Sequence, residues 1–277
     1  MKPKIVIFGN GWLGKKYKEY FGVSAVIVPT DIGDKQAVAK ILDAIKPKVV
    51  INAAGKTGRP NVDWCETHRE ETVYSNIAGP LVLMQECLAR SIFMVHLSSG
   101  CLFQGNNKGR GWSEDDPTVP PNFYAWTKAR TDEILKEFPV LILRLRMPID
   151  GTPDPRNLIM KLAHYPKVID VENSVTIVPD LLRATKQLIQ KKKTGIYNIT
   201  NPGSIKHRDL LAWYKKIVDP DHHYEMIPLK KMRTLGLTQA GRSNCILSTK
   251  KLQKAGIKLR PVKKAVIDTL KIYGTLL

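Results

Sequence analysis

Apolar and polar positions follow two rhythms along the first 150 residues. Short apolar runs rich in β-branched residues occur at 4–8, 25–28, 49–53, 93–97 and 140–145. Longer stretches with helical spacing lie between them, among them 37–45, 71–90 and 126–138. Strands that alternate with helices in this way predict a parallel sheet with helices on both faces. Further along, the spacing predicts helices at 157–164, 181–191, 207–217, 248–255 and 262–273 and a strand at 195–200.

This pattern predicts an α/β protein with a doubly wound parallel sheet of the Rossmann type and a smaller C-terminal α/β lid for the substrate. Proline and glycine clusters around 148–155 and 200–204 indicate where the chain crosses between the two parts. We expect residues 1–147, with 171–200 returning to them, to form the larger domain, which contains the parallel sheet. Residues 148–170 and 201–277 are expected to form the substrate-binding lid.

The composition is that of a globular protein: 43% of the 277 residues are hydrophobic and 25% are charged. No apolar run approaches the about 18 residues of a membrane span, and 5–8 is too short for a secretory segment. Cys65, Cys87, Cys101 and Cys245 have irregular spacings that fit neither a disulfide framework nor a zinc site. We therefore expect a soluble protein of a reducing cytoplasm, without a metal site or a membrane partner.

The net charge of +19 is concentrated in the last third of the chain. Residues 181–277 contain 21 lysines and arginines and 5 acidic residues. Such an asymmetry is found in proteins that bind nucleic acid, membrane surfaces or anionic ligands, and also in proteins with a solvated lysine-rich surface. No aromatic RNA-binding motif, zinc knuckle or helix-turn-helix signature accompanies the charge. We prefer the solvated surface and do not expect nucleic acid as a partner.

A glycine-rich turn directly follows the first apolar run. Gly9 and Gly11 allow a tight turn and close approach of the backbone to a diphosphate, and Gly14 allows the next helix to pack near the strand. The position after an apolar strand makes this turn a candidate dinucleotide site. The residues expected to bind the cofactor here are Gly9, Asn10, Gly11, Trp12, Leu13 and Gly14.

The second strand leaves the choice of dinucleotide open. A carboxylate at its end would bind the ribose 2′-hydroxyl and favour NADH, but Ala25–Thr30 contains none. Asp31 and Ile32 follow as candidate cofactor contacts, although Asp31 could instead cap the next helix. Lys15 and Lys16 are available for a 2′-phosphate. NADPH is the expected cofactor, with NADH as the alternative.

Tyr124 and Lys128 lie one helical turn apart, on a helix that follows the strand ending in Ser98-Ser99. Side chains at the carboxyl ends of parallel strands line the ligand crevice. A ketone that accepts a hydride develops negative charge on oxygen, and it needs a proton donor and a hydrogen bond there. We expect Tyr124 to donate the proton, the Lys128 ammonium to lower the pKa of Tyr124, and Ser99 to donate the hydrogen bond. Lys128 is also expected to hold the nicotinamide ribose, so that Tyr124 and Lys128 are candidate cofactor-binding residues as well.

The glycine turn, Asn52-Ala53-Ala54-Gly55, Ser99 and the Tyr124/Lys128 pair resemble, in this order, the extended short-chain dehydrogenase/reductase superfamily. Longer stretches resemble one family within it, the nucleotide-rhamnose synthase/epimerase-reductases, bifunctional relatives of dTDP-4-dehydrorhamnose reductase. The resemblance covers nearly the whole chain. It rests on residues 57–66, 99–103, 144–149, 157–161, 197–203 and 242–244.

The resemblance implies 3,5-epimerisation followed by 4-keto reduction of UDP- or dTDP-4-keto-6-deoxyglucose, with NADPH as reductant. By position it implies that Cys101 and Lys161 are the acid and base of the epimerisation. It adds Ala53, Ala54 and Gly55 to the cofactor site. One departure is that Phe8 stands where the family has the first glycine of its turn.

The resemblance also implies contacts with the nucleotide sugar. The candidate residues are Arg59, Asn61, Asn157, Arg242 and Asn244. UDP and dTDP remain equally compatible with the sequence, and a GDP-sugar epimerase/reductase, a reductase without epimerase activity and a non-catalytic NADP-binding regulatory subunit are the alternatives. A further alternative is a member of the family that associates with RNA through the basic last third of the chain. The oligomeric state is open, with a homodimer among the states allowed.

Overall fold

The structure is a computed structural model that describes residues 4–59 and 61–276. The chain forms two compact units. The first comprises Met1–Leu102, Pro120–Arg144 and Lys186–Tyr197, and the second comprises Phe103–Val119, Leu145–Thr185 and Asn198–Leu277. The two units are nearly equal in length, whereas the sequence predicts a smaller second domain. Within the described ranges, no helix is long and apolar enough to cross a bilayer.

Helices and strands alternate along the described chain. The strands are β1 (Ile5–Phe8), β2 (Ala25–Val28), β3 (Val49–Asn52), β4 (Phe93–Ser99), β5 (Val140–Leu145), β6 (Pro148–Ile149), β7 (Lys167–Ile169), β8 (Glu172–Asn173), β9 (Thr176–Ile177), β10 (Gly195–Ile199), β11 (Ile205–Lys206) and β12 (Glu225–Ile227). The α-helices are α1 (Trp12–Phe21), α2 (Lys35–Ile45), α3 (Trp64–Thr67), α4 (Arg69–Val73), α5 (Gly79–Ala89), α6 (Phe123–Leu135), α7 (Leu158–His164), α8 (Val178–Gln190), α9 (His207–Ile217), α10 (Lys231–Thr234), α11 (Lys250–Lys254) and α12 (Val262–Gly274). A 3₁₀ turn occupies Gly22–Ser24 and a π-helix Tyr74–Ala78.

The main sheet confirms the predicted fold class. Its strand order is β2-β1-β3-β4-β5-β10, and β1 runs parallel to β2 and β3, as β3 does to β4. Because the chain goes from β1 to β2 on one side and then to β3 on the other, the order reverses between β1 and β3. Doubly wound sheets bind ligands outside the carboxyl ends of their strands at such a reversal. The sheet therefore directs attention to the loops after β1 and β3.

The first unit is built on continuous apolar strands. β1 and β5 are buried along their whole length, as expected for strands that are covered on both faces. A cluster of buried residues that includes Phe8, Val50, Leu83, Met94 and Ile142 forms the core of this unit. The side chains left for chemistry are consequently those at the strand ends and in the loops that follow.

The segment predicted as one helix at 71–90 is divided in the structure. The chain runs from α4 through the π-helix into α5, which has Pro80 in its first turn. A Cβ at Gly79 would lie 2.6 Å from the Ile32 side chain, so the two segments pack very closely here. The extra residue of a π-turn re-aims side chains, and such turns are frequent at functional sites. Here the buried side chain in the π-helix is that of Asn76.

The second unit has its own core and three two-stranded sheets. The sheets pair β11 with β8, β12 with β7, and β6 with β9. Its apolar cluster includes Ile149, Val175, Leu210, Val266 and Tyr273. Two segments that we expected in the first domain, 103–119 and 171–185, belong to this unit instead. For the first segment the reason is backbone pairing, since Gly105 bridges Cys245 and Trp112 bridges Leu247.

A buried ion pair joins α6 to β5. Arg144 Nε donates to Asp132 Oδ2 at 2.7 Å, and the two side chains are 3% and 0% exposed. Removing one partner of a buried pair leaves the other charge uncompensated away from water. Because Asp132 lies one turn beyond Lys128 on α6, this pair also fixes the helix that carries the predicted reductase residues.

We expect Asp132→Ala to lower the free energy of unfolding by about 3–5 kcal/mol, because the Arg144 charge would remain buried without its carboxylate. Urea unfolding followed by circular dichroism measures the change. The neighbouring Glu133→Ala is the matched control, since Glu133 pairs with Arg130 at 2.8 Å with both side chains more than 40% exposed. Loss of the exposed Glu133–Arg130 pair should lower the free energy of unfolding by less than about 1 kcal/mol. Equal losses in the two variants would contradict the assignment.

Candidate active site

The loop after β1 touches the loop after β3. Gly9 has φ +103°, and a Cβ there would lie 2.5 Å from backbone atoms of both Ala53 and Ala54. A Cβ at Gly14 would lie 2.0 Å from the Gly9 carbonyl oxygen. The first glycine is therefore required by both conformation and space, and Gly14 by the packing of α1 against this turn.

The N-terminus of α1 is open at Gly11. Gly11 is the N-cap of α1, no side chain caps the helix, and a Cβ at Gly11 would have no described atom within 4 Å. Asn10 is exposed, Leu13 is half-buried, and the buried Trp12 indole N–H has no hydrogen-bond partner among the described residues. Free N–H groups at a helix N-terminus bind anions, so the arrangement fits the diphosphate of a dinucleotide.

Two buried amides hold the loop after β3. Asn52 Oδ1 accepts from the backbone N–H of Ala54 at 3.0 Å. Asn76, from the π-helix, accepts from the Lys56 N–H and donates to the Lys56 carbonyl oxygen, both at 2.9 Å. Ala53 and Ala54 are half-buried and Gly55 is exposed, so this predicted cofactor segment remains accessible.

Asp31 forms a turn and does not cap the next helix. Its Oδ1 accepts from the Gly33 N–H at 2.8 Å, whereas Asp34 caps α2 by accepting from Ala37 at 3.0 Å. Asp31 also hydrogen-bonds Tyr74, whose pKa is raised, mainly by burial and then by the Asp31 charge. Ile32 is buried. Asp31 is exposed on a fixed turn, and contacts of both residues with the cofactor remain a prediction.

The start of α6 is fixed by two caps. Asn122 Oδ1 accepts from the Ala125 N–H, and Glu66 Oε1 accepts from the Phe123 N–H, both at 2.8 Å. Asparagine is among the favoured N-cap residues because its oxygen satisfies a free N–H of the first turn. The two caps place Tyr124 in the first turn of α6 and Lys128 one turn later.

Ser99, Cys101 and Tyr124 lie together at the end of β4. Ser99 Oγ accepts from the Cys101 N–H at 3.1 Å, and the Ser99 hydroxyl hydrogen-bonds the Tyr124 phenol. β4 ends at Ser99 and Cys101 lies in the following turn, partly exposed. Cys101 is thus held beside Ser99 by a turn that is closed on the Ser99 hydroxyl.

The pKa of Tyr124 is raised and not lowered as expected. Burial has the largest effect, and the nearby Cys101 thiol raises the pKa further when ionised, while the hydrogen bond with Ser99 lowers it. Lys128 Nζ lies 3.1 Å from His96 Nε2 and donates to the Leu97 carbonyl oxygen at 3.0 Å. The expectation that the Lys128 ammonium depresses the pKa of Tyr124 is therefore wrong for this structure, since the phenol is buried and the amine is engaged on β4.

Lys128 itself is strongly perturbed. Its side chain is only 4% exposed, and burial lowers the pKa of its amine to about 8 against an opposing effect of the Asp132 carboxylate. Its neighbour His96 is fully buried, and burial followed by the Lys128 charge holds the pKa of that imidazole well below its usual range. Strongly shifted groups in one cluster are typical of active sites.

Two of the predicted residues in the second unit differ in character. Lys161 is exposed on α7, and its role in epimerisation remains a prediction. Asn157 is fully buried, accepts from the N–H groups of Ile159 and Asp150, and donates to the carbonyl oxygens of Asp150 and Thr152. Because all its hydrogen-bonding positions are used, Asn157 acts as the cap of α7 and not as a side-chain contact to the nucleotide.

The remaining predicted substrate residues lie in loops. Arg59 is exposed, and the half-buried Asn61 accepts from the Asp63 N–H at 2.8 Å, which closes a turn in the first unit. In the second unit, the carbonyl oxygens of Arg242 and Asn244 accept from the Gln104 side chain at 3.0 Å and the Gly105 N–H at 2.6 Å. These contacts fix backbone, and substrate contacts by the four side chains remain predictions.

Sequence reasoning missed three polar residues that support the site. Asn52 and His96 are paired across β3 and β4 and are joined by a 3.1 Å hydrogen bond. Asn76 also donates to Thr127 Oγ1 at 3.3 Å, next to Lys128. The available signal was the presence of an asparagine and a histidine within otherwise apolar strands, because buried polar groups there need partners.

Several known proteins are similar to this chain in sequence and in fold. A bifunctional dTDP-4-dehydrorhamnose 3,5-epimerase/dTDP-4-dehydrorhamnose reductase of Arabidopsis thaliana is 36% identical over 274 residues, which cover 95% of this chain and 90% of that protein. Three trifunctional proteins of the same plant, UDP-glucose 4,6-dehydratase/UDP-4-keto-6-deoxy-D-glucose 3,5-epimerase/UDP-4-keto-L-rhamnose-reductases, are 34%, 36% and 35% identical. The chain spans 41% of their length.

Solved structures of similar proteins have the same fold as this chain. The UDP-rhamnose synthase of Acanthamoeba polyphaga mimivirus has a TM-score of 0.90 at 30% identity, over 97% of this chain and 98% of that one. The dTDP-4-dehydrorhamnose reductase of Bacillus anthracis in complex with NADP has a TM-score of 0.84 at 21% identity, over 100% and 99%, which shows a shared fold. The sequence matches the RmlD substrate binding domain family over residues 3–274. Together with the relatives above, this match means that the protein belongs to that family.

Proposed function

We propose that this protein is an NADPH-dependent 3,5-epimerase/4-keto-reductase that converts a nucleoside-diphosphate 4-keto-6-deoxyglucose to the β-L-rhamnose nucleotide. The observation that carries the proposal is the cluster of Ser99, Cys101 and Tyr124, in which a proton donor for reduction and a thiol for epimerisation share one turn. The similar Arabidopsis protein is named for the same pair of activities, and the similar viral protein is named a UDP-rhamnose synthase.

The residues of the first unit fit a bound NADPH. The open N-terminus of α1 at Gly11 and the uncapped N–H groups suit its diphosphate, and the loop from Ala53 to Gly55 adjoins this turn. When bound, NADPH supplies the hydride for the ketone. What the chain contributes is a turn with no side chain at Gly9 or Gly11, which lets the backbone approach the diphosphate.

Reduction requires a proton for the developing C4 oxyanion. The Tyr124 phenol, kept neutral by burial, donates that proton, and the Ser99 hydroxyl donates a hydrogen bond to the same oxygen. Lys128, one turn away on α6, restores the proton of Tyr124. A lysine with a pKa of about 8 serves this purpose well, because a group exchanges protons most effectively when its pKa lies near the working pH.

Epimerisation requires removal and return of protons at C3 and C5. Both carbons flank the C4 ketone, so loss of either proton forms an enolate whose oxygen the Ser99 and Tyr124 hydroxyls stabilise. Cys101 is a partly exposed cysteine beside these groups and acts as one acid/base residue. Lys161, exposed on α7, is the second by the family resemblance. UDP and dTDP are both retained as the nucleotide, because the similar proteins are named for either one.

In deuterated water and without NADPH, the protein should introduce deuterium at C3 and C5 of UDP- or dTDP-4-keto-6-deoxyglucose, measured by mass spectrometry and proton NMR. Addition of NADPH should then give the rhamnose nucleotide. Reduction only of ketone that has already been epimerised would leave a plain reductase. Binding of NADPH without turnover of any of these sugars, GDP-linked ketosugars included, would support a regulatory subunit.

Cys101→Ser should abolish most of the isotope exchange, about 100-fold or more, because a serine hydroxyl is far harder to ionise than a thiol. Reduction of pre-epimerised ketone should survive. Tyr124→Phe should do the opposite: it should lose reduction but retain exchange at a reduced rate, because Ser99 still donates a hydrogen bond to the enolate oxygen. Cys87→Ser, at a buried cysteine whose pKa burial raises to about 12, is the matched control and should leave both rates unchanged. Loss of both activities in Cys101→Ser would contradict separate roles.

Gly11→Ala and Gly14→Ala separate cofactor binding from folding. Gly11→Ala should weaken NADPH binding at least about tenfold while leaving the melting temperature unchanged, because its Cβ enters open space where a diphosphate must approach. Gly14→Ala should lower the melting temperature as well, since its Cβ would lie 2.0 Å from the Gly9 carbonyl oxygen. Fluorescence titration with NADPH and thermal unfolding give the two readouts. Unchanged affinity in Gly11→Ala would place the diphosphate elsewhere.

A further inference from the structure

A row of buried polar groups crosses from β3 through β4 to α6. Asn52 Nδ2 lies 3.1 Å from His96 Nδ1, and His96 Nε2 lies 3.1 Å from Lys128 Nζ. Asn52 and His96 are fully buried and Lys128 is 4% exposed. The row ends at the lysine that we have placed in the reductase site, while Asn52 and His96 have no assigned part in the reaction.

The backbone determines the direction of the hydrogen bonds in this row. Asn52 Oδ1 accepts from the Ala54 N–H at 3.0 Å, so the other end of the amide, Nδ2, faces His96. An amide nitrogen only donates, and Nδ1 of His96 must therefore be the acceptor. A neutral imidazole that accepts at Nδ1 carries its proton on Nε2. Two observations exclude a doubly protonated imidazole. Burial disfavours its charge, and the Asn52 amide that donates to Nδ1 leaves no room for a proton on that nitrogen.

The Nε2–H group of His96 points at the Lys128 amine and therefore disfavours the charged form of Lys128. An ammonium group has three N–H donors and no acceptor, so it cannot accept the Nε2–H, whereas an uncharged amine has a lone pair for it. The Lys128 amine then still donates one N–H to the Leu97 carbonyl oxygen at 3.0 Å. We propose that Asn52 and His96 are positioning residues that favour the uncharged amine of Lys128 and thereby make it a proton-exchanging group of the reductase site.

The other groups around Lys128 do not account for this effect. On α6, Asp132 favours the charged form of Lys128, but Asp132 is itself paired with Arg144 of β5. The Tyr124 phenol one turn before is neutral because its pKa is raised. On β4, His96 is the titratable group that contacts the amine. Besides burial, the orientation of Asn52 and His96 is thus the feature that acts against a permanent ammonium.

The proposal rests on the proposed reductase function for its role in turnover, but its first test needs no substrate. In protein labelled with ¹⁵N-histidine and ¹³C-lysine, NMR should find the His96 proton on Nε2 throughout pH 6–9 and a Lys128 midpoint at about 8 or below. Lys128→Met assigns the lysine signal, and His207→Gln, at a buried histidine of the second unit, should leave that midpoint unchanged. A proton on Nδ1, or a Lys128 midpoint above about 10, would overturn the proposal.

Asn52→Asp tests the direction of the row. A carboxylate accepts at both oxygens, so it should keep the Ala54 contact, move the His96 proton to Nδ1 and leave Nε2 free to accept from an ammonium. The Lys128 midpoint should rise by about one pH unit or more. Asn76→Asp places a carboxylate beside α6 at Thr127 without touching His96, and it should leave the His96 proton on Nε2. If the Lys128 midpoint rose equally in Asn52→Asp and Asn76→Asp, the added negative charge alone would explain the rise, and the proposal would be contradicted.

Reduction kinetics complete the test. The steady-state rate of ketone reduction should fall tenfold per pH unit above about pH 8 in the wild type, because the Lys128 amine that restores the proton of Tyr124 is uncharged there. In Asn52→Asp this fall should begin about one unit higher. NMR results as expected without any reduction would refute the proposed function alone. Reduction with an unshifted pH profile in Asn52→Asp, despite a moved His96 proton, would refute the role proposed for the row.

Discussion

The contact between the loops after β1 and β3 is the constraint on which the site depends. The order of the sheet reverses between these two strands, and their carboxyl ends approach so closely that a Cβ at Gly9 would overlap the Ala53–Ala54 backbone. This closeness forces glycine at the turn, and the same glycine allows α1 to begin with free N–H groups facing outward. The topology of the sheet therefore creates the anion site, and the side chains only have to stay out of it.

Polar groups inside the sheet extend this constraint to α6. The Asn52 amide oxygen accepts a hydrogen bond from the loop after β3, and its amide nitrogen donates one to His96. His96 in turn is hydrogen-bonded to Lys128 on α6. Buried polar groups in a parallel sheet are costly unless they are all paired, so a connected row is the form in which they persist. The result is that the loop after β3 and Lys128 share one hydrogen-bonded support.

The sequence predicted the main strands well because they are continuous apolar runs bounded by turn residues. β2 and β5 have the predicted bounds, and the motif residues Ser99, Tyr124 and Lys128 fall at a strand end and on a helix as expected. The π-helix was not predictable from spacing, and it is followed by the close packing of Gly79 on Ile32, a contact distant in sequence. The short strands of the second unit are two or three residues long and carry too little pattern to detect.

Protonation states were the part that the sequence could not supply. A Tyr-x-x-x-Lys spacing places two groups on one helix face, but burial decides their pKa values, and burial raises that of Tyr124 and lowers that of Lys128. Asn157 is a similar case: the motif suggested a ligand contact, and only the surrounding backbone shows that its amide is already used. Motifs thus identify which residues meet, whereas tertiary contacts determine which protons they hold.

In the function proposed above, the coupling between Cys101 and Tyr124 would let one turn serve two proton chemistries. Because an ionised Cys101 raises the pKa of Tyr124, a thiolate at position 101 keeps its neighbouring phenol protonated. Epimerisation needs a base beside a group that stabilises the enolate oxygen by donating a hydrogen bond, and this is the combination that the coupling favours. Reduction needs the same phenol as a proton donor, with either state of the thiol. Under the proposed function, repulsion between the two anions would preserve the donor whenever the thiol is ionised, and burial would preserve it when the thiol is neutral. Ser99 is hydrogen-bonded to both residues and keeps them close.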